Sequence, residues 1–274
     1  MKCKTLLVFF ASVMAMGYVA GCRKQSQAIP PVAATNSLLE CAVKDLLGDS
    51  TAVLRLAEPG MCPGHFDIRP SQVEQLRSCR ILLRLDFQKS LDTKLTGAKD
   101  DGLYIAEIRV SGGLCEPESY LEACRQTADA LVAAGLLERD AADTRLTAIT
   151  DRIEQTAARC RHEVAALKDT PVIVSVHQEA FCKWLGLQPV ALFTGADEAG
   201  VGQVDEALRQ GEQASAKLVI ANLPEGRRVA DALAARLGAK VVVFGNFPAL
   251  NDGQSSFDDL LEANVRALMK AVDR

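Results

Sequence analysis

Residues 171–187 read Pro171-Val-Ile-Val-Ser-Val-His-Gln-Glu-Ala-Phe-Cys-Lys-Trp-Leu-Gly-Leu187. The run Val172 to Val176 is apolar or small at every position and rich in β-branched residues. Such a run fits a strand buried on both faces, as in a parallel sheet. Gln178 to Leu185 then changes to a helical period, and Gly186 ends it. The alternation continues downstream. Strands are expected at Gln188–Phe193, Lys217–Ala221 and Lys240–Phe244, with helices at Gly202–Gln213, Gly226–Leu237 and Ser255–Val272. Strands joined by helices imply parallel pairing and right-handed crossovers.

Upstream, Leu146, Ile149, Ile153, Ala157, Cys160, Val164 and Leu167 recur every three or four residues. That stripe predicts one long helix from Arg145 to Leu167, roughly 35 Å at 1.5 Å per residue. His162 lies off the stripe and reads as solvated surface. Before it lies a second alternating region. Strands are expected at Thr51–Ala57, Arg80–Leu85 and Leu103–Val110, and helices at Pro70–Ser78, Gln88–Leu95 and Glu118–Leu137. Gly112-Gly113 breaks the chain after the third of these strands, and Pro117 opens the helix that follows. The fold class expected is α/β: two α/β lobes with parallel sheets, bridged by one long helix, with a ligand cleft between the lobes.

Length and composition agree. The chain has 274 residues, 49% of them apolar and 24% charged, with a net charge of −4. It is too apolar for disorder and too charged for a polytopic membrane protein. No basic block is present, so nucleic acid is not expected as a partner. Aromatic residues make up only 5%, too few for a base- or sugar-stacking platform.

The first 22 residues form a separate object. Lys2 and Lys4 precede an apolar stretch from Thr5 to Val19, which ends in Val19-Ala20-Gly21-Cys22. This resembles a bacterial lipoprotein signal, in which small residues precede a cysteine that is lipidated and becomes the mature N-terminus. The expected organisation is residues 1–22 as signal with lipidated Cys22, and 23–36 as a flexible tether rich in proline and alanine. An N-terminal lobe follows over 37–140, a linking helix over 141–169 and a C-terminal lobe over 170–274. The protein would sit in the cell envelope, anchored to the membrane by its lipid and facing the periplasm or exterior. Beyond Cys3 and Cys22, seven cysteines remain: Cys41, Cys62, Cys79, Cys115, Cys124, Cys160 and Cys182. The envelope permits disulfides, yet seven is odd, and several lie in apolar runs where cysteine acts as a small hydrophobe.

In open parallel sheets, ligands bind at the carboxyl ends of strands. His65 lies in the loop Glu58-Pro-Gly-Met-Cys-Pro-Gly-His65 after the first expected strand, and His177 directly follows the strand Val172–Val176. The glycine-rich Gly195–Gly202 fits neither GxGxxG nor GxxxxGK[ST], so it does not read as a nucleotide loop. Cys62 and His177 could be drawn as a thiol–base pair, but nothing supplies an orienting third group.

The segment Pro59-Gly-Met-Cys-Pro-Gly-His-Phe-Asp-Ile-Arg-Pro-Ser71, with the strand Ile81–Leu85 after it, resembles the zinc and manganese substrate-binding proteins of ABC importers. So does Val172-Ile-Val-Ser-Val-His177-Gln-Glu-Ala-Phe181 with Trp184-Leu-Gly-Leu187. Leu218–Ile220, Leu237–Val243 and Phe257–Leu268 are similar to the family's later elements. The likeness runs from about Leu39 to Val272.

It implies a monomeric solute receptor, not an enzyme, that carries a divalent metal as cargo to an ABC permease. Zinc is the first expectation, then manganese, iron or copper. It implies three histidines and one carboxylate as ligands, of which His65 and His177 match the first and third. The second falls at Gly112 and the fourth at Gly245-Asn246. The glutamate often found near the late strand is replaced there by Asn222. Cys115, Cys62 and Asn246 are weaker candidates to stand in, since thiolates suit zinc or Cu(I). Two other readings stay open: a degenerate paralogue binding a metal chelate or small organic solute, and an envelope thiol redox or structural lipoprotein.

Overall fold

The computed structural model describes residues 30–57, 67–197, 200–250 and 253–273. The signal segment, Cys22 and the loop carrying Cys62 and His65 lie outside these residues. Two four-stranded, all-parallel sheets form the two lobes. The first lobe comprises β1 (Val32–Ala34), α1 (Ser37–Leu47), β2 (Leu54–Arg55), α2 (Pro70–Leu76), β3 (Ile81–Leu85), α3 (Thr96–Asp100), β4 (Tyr104–Ile108) and α4 (Pro117–Ala133). A 3-10 stretch, Asp86–Leu95, joins β3 to α3. The bridging helix α5 spans Arg139–Glu163. The second lobe comprises β5 (Pro171–Ser175), α6 (Glu179–Trp184), β6 (Gln188–Phe193), α7 (Val201–Gln213), β7 (Leu218–Asn222), α8 (Arg228–Leu237), β8 (Lys240–Phe244) and α9 (Phe257–Val272).

The strand orders are β2-β1-β3-β4 and β6-β5-β7-β8. Each sheet therefore reverses its winding between the first and third of its own strands. In the second lobe that switch point lies between β5 and β7, where crevices open at strand carboxyl ends.

Alternation along the strands sorts side chains between two layers. Ile81, Leu83 and Leu85 face a core shared by both lobes, while Leu82 joins a separate cluster on the first sheet's other face. Leu218 and Ile220 likewise face the shared core, and Val219 and Ala221 join the outer cluster of the second sheet. Helix α5 packs on α1 and α4 of the first lobe and on α9 of the second. Its stripe residues Ile149, Ile153, Ala157 and Cys160 are buried, as the period requires. The helix begins earlier than the stripe implies, at Arg139, and it ends earlier because Ala165–Leu167 tightens into a 3-10 turn.

The first lobe departs from its sequence reading in several places, the expected helix Gln88–Leu95 being part of the 3-10 stretch. Val32, Ala33 and Ala34, expected at the end of the tether, are fully buried and pair with both β2 and β3 in the middle of the sheet. The tether cannot extend to residue 36. A three-residue Val-Ala-Ala strand behind two prolines is too short to show a period, and in sequence it has the composition of a linker. The expected strand Thr51–Ala57 contracts to Leu54–Arg55 at the sheet edge. Helix α1, not anticipated from sequence, is capped by Asn36, whose side chain accepts from the Leu39 N–H at 3.1 Å.

The cysteines Cys41, Cys79, Cys115, Cys124, Cys160 and Cys182 are all buried free thiols. Among the described residues no helix is long and apolar enough to cross a membrane.

Candidate metal centre

Strand β5 ends at Ser175, and a single 3-10 turn, Val176–Gln178, follows it. The turn throws neighbouring side chains in opposite directions. His177 stands outward with its side chain 52% exposed, while Gln178 is fully buried. Across the switch point, β7 is followed by another 3-10 turn, Leu223–Glu225, with Pro224 at its start and Gly226 at φ 72° closing it. This turn returns Glu225 towards the end of β5. The Ser175 hydroxyl donates to Glu225 Oε2 at 2.5 Å, and the Gly195 N–H donates to Oε1 at 3.1 Å. A side chain at 195 would place its Cβ 3.0 Å from the Glu225 Cβ, so glycine permits the close approach. Glu225 Oε1 lies 3.6 Å from His177 Nε2.

The inner part of the junction is occupied by a buried thiol–amide network. The Cys115 thiol, from the first lobe, donates to the Gly245 carbonyl at 2.8 Å and approaches Asn246 Oδ1 at 3.3 Å. Asn264 on α9 brackets Gly245, accepting its N–H at 2.9 Å and donating to its carbonyl at 3.0 Å. Gln178 Nε2 donates to Asn246 Oδ1 at 2.7 Å and to Asn222 Oδ1 at 3.1 Å. Burial pushes the Cys115 thiol well above its ordinary range, the Glu116 charge adds to this, and hydrogen bonds from Gln178 and Asn264 oppose it. Cys115 is thus a neutral S–H donor at physiological pH, whereas a metal requires the thiolate.

The expected second-ligand position is closed in another way. A Cβ on Gly112 would collide with Glu116 Oε2, and this carboxylate accepts the Gly113 N–H at 2.5 Å. At Gly113 a Cβ would come 2.9 Å from the Ala180 Cβ on α6, so the two lobes touch here.

The structure therefore brings Cys115 and Asn246 together, in contact with each other, and sets His177 beside Glu225. His65 and Cys62 lie outside the described residues. Among the described residues no three His, Cys, Asp or Glu side chains gather as a metal-holding group. Sequence reasoning missed Glu225 because it looked for an acid at the strand end, where Asn222 stands. The signal that could have found it is Leu223-Pro-Glu-Gly226, a proline-started, glycine-closed turn that carries an acid back over the strand end.

The family model for the periplasmic zinc-uptake complex component A (ZnuA) matches residues 32–271. No curated protein matches the chain. Among solved structures, the Mn-bound periplasmic metal-binding protein from candidatus Liberibacter asiaticus is similar at a TM-score of 0.74 and 12% identity. The match covers 87% of this chain and 98% of that one. The Cd-bound form of the Liberibacter protein matches at a TM-score of 0.74 and 13% identity, with coverage of 87% and 98%. A crystal structure of ZnuA matches at a TM-score of 0.73 and 15% identity, covering 88% and 98%. At such identities the structural likeness speaks for the fold, while the family model spans nearly all of both lobes. This chain belongs to the family of periplasmic zinc-uptake component A proteins.

Proposed function

We propose that this protein is a cell-envelope solute receptor, anchored through lipidated Cys22, that captures a divalent metal between its lobes for delivery to an ABC permease. It acts as a monomer and performs no catalytic step. Zinc is the first cargo to test, then manganese, iron and copper. The observation that carries the reading is His177, an outward-facing imidazole at the switch point of the second sheet. It is the one titratable side chain the sequence places there on family grounds. His65, expected on the first lobe, would supply a second neutral imidazole.

Elemental analysis tests this, on protein from Ala28 onward, purified without a histidine tag beside the His65→Ala/His177→Ala double variant. About one metal per chain, lost in the double variant, is the expected result. No metal in either protein after reconstitution under reducing conditions would sink the reading.

A chelated metal or small organic solute is the second reading. It draws support from Gly112 and Gly245, which offer no side-chain donor where the family expects ligands. The thiol redox reading draws none from the described cysteines, since buried, protonated thiols are poor nucleophiles.

A further inference from the structure

We propose that Glu225 is a ligand of the cargo metal, binding through Oε1 beside His177 Nε2. The proposal rests on the receptor reading above and adds to it a donor from outside the ligand positions that resemblance supplies.

Three features of the geometry point to a ligand. The first is spacing. At 3.6 Å, His177 Nε2 and Glu225 Oε1 are too far apart for a hydrogen bond. Two donors held about 2.1 Å from one zinc ion at a tetrahedral angle stand about 3.4 Å apart. The pair is therefore separated by nearly the distance a single cation would bridge.

The second is fixation. Ser175 holds Oε2, and the Gly195 N–H holds Oε1 from one side. An ionised carboxylate oxygen has two lone-pair sites, so Oε1 retains one to offer a cation. A carboxylate held at both oxygens loses little freedom on binding, which is how supporting hydrogen bonds sharpen a metal site.

The third is charge. The Glu225 side chain is only 13% exposed. Among the described residues no lysine or arginine lies within 4.0 Å of it, and His177 is its one basic neighbour. No fixed cation of the protein therefore occupies the side of the carboxylate that faces His177.

Asn222 shows why the acid sits one turn later. Its amide oxygen is committed to Gln178 inside the junction, where a carboxylate would meet the amide oxygen of Asn246 across the same donor. Moving the acid to 225 keeps the neutral network intact and places the charge outside it, beside the exposed His177. A carboxylate in the set makes the site harder than one built of imidazoles alone, so it favours zinc and manganese over Cu(I).

The test uses the full chain purified in detergent, with the probes Zn²⁺, Mn²⁺ and Co²⁺. Zinc and manganese affinities are measured by competition against a chromophoric chelator, and Co²⁺ is followed by its visible absorption bands. Glu225→Gln keeps the shape and the hydrogen-bond acceptor for Ser175 but removes the charge and the acceptor for the Gly195 N–H. The expected result is a 10- to 100-fold weaker zinc affinity with altered Co²⁺ bands, in a protein that still unfolds in one cooperative step with at most a small fall in melting temperature. Glu225→Asp should recover part of the affinity. Glu225→Gln within threefold of wild type, with the Co²⁺ bands unmoved, would show that Glu225 is not a ligand while the receptor reading stands. Weaker zinc binding with unmoved bands would make Glu225 a positioning residue for His177 and overturn the proposal in its ligand form. Wild-type protein that binds none of the three ions would remove the receptor reading and this proposal together.

Discussion

Raising the pH from 8 to about 10.5 should unfold this protein cooperatively, and its cysteines should set the slope. Burial pushes Cys41, Cys115, Cys124 and Cys182 far above the ordinary thiol value of 9.0. Cys79 and Cys160 are pushed up to about 11, again chiefly by burial. In the unfolded chain these thiols ionise near their ordinary value, while in the folded chain they keep their protons. The native state therefore binds more protons than the unfolded state above pH 9, and stability falls as pH rises. Each group contributes about 1.4 kcal/mol per pH unit in that window, so the four deepest thiols together remove roughly 5 kcal/mol per unit. Domain stabilities are on the order of 5–15 kcal/mol, so one to three units are needed from these four alone, and fewer once Cys79 and Cys160 add their share. Urea unfolding in reductant at pH 7.5, 9, 9.5, 10 and 10.5 measures this directly. The midpoint should hold to pH 9 and then drop steeply, with a shallower drop in Cys124→Ala. A midpoint that stays level to pH 10.5 would refute the account. The same thiols should ignore a thiol reagent at pH 8 and react together on unfolding.

That dependence on burial also explains what could be read from the chain. The second lobe was legible because its strands are unbroken apolar runs and its helices keep a clean period, from Pro171 to Val272. The bridging helix was legible from one stripe, since Ile149, Ile153, Ala157 and Cys160 have to face the same side. Strand β1 was not legible. Three small residues gain strand identity only from the neighbours Leu54 and Leu82 that flank Ala33 in the sheet. Tertiary pairing decides such a segment, and no local pattern records it.

The candidate site divides along the same line. His177 could be placed from sequence because a strand end fixes where the next residue goes. Glu225 could not, because its position depends on a turn that doubles back by three residues. The contact of Cys115 with Gly245 and Asn246 joins loops of different lobes, and sequence spacing carries no information about it. Gly112 reads in sequence as a missing ligand. The structure gives that glycine a positive reason, since the Glu116 carboxylate occupies the space a side chain would need.

Phe257→Ala should be the most damaging single substitution at the seam between the lobes, costing about 3–5 kcal/mol. Phe257 is fully buried at the first turn of α9 and stacks on Tyr120 of α4, with ring centroids 4.1 Å apart and planes within 4°. The stack thus joins the second lobe to the first. Around it, the Tyr120 hydroxyl donates to Asp45 Oδ2 at 2.6 Å, and Arg152 on α5 reaches the same carboxylate at 2.6 Å. Arg152 also lies 3.3 Å from Asp258, which accepts the Thr156 hydroxyl at 2.7 Å. Removing the Phe257 ring leaves a void beside Tyr120 in the core shared by both lobes, and the surrounding side chains can collapse into it only in part. Tyr120→Phe provides the control. It keeps the stack and loses one hydrogen bond to a carboxylate, so it should cost about 1.5–3 kcal/mol, less than the loss of the ring. The consequence reaches the cleft through α9, because Asn264 on the same helix brackets Gly245. Phe257→Ala should therefore broaden the small-angle scattering profile and weaken metal binding less than His177→Ala does, whereas Tyr120→Phe should leave both as in wild type. Equal urea midpoints for Phe257→Ala and wild type would refute this role for the stack.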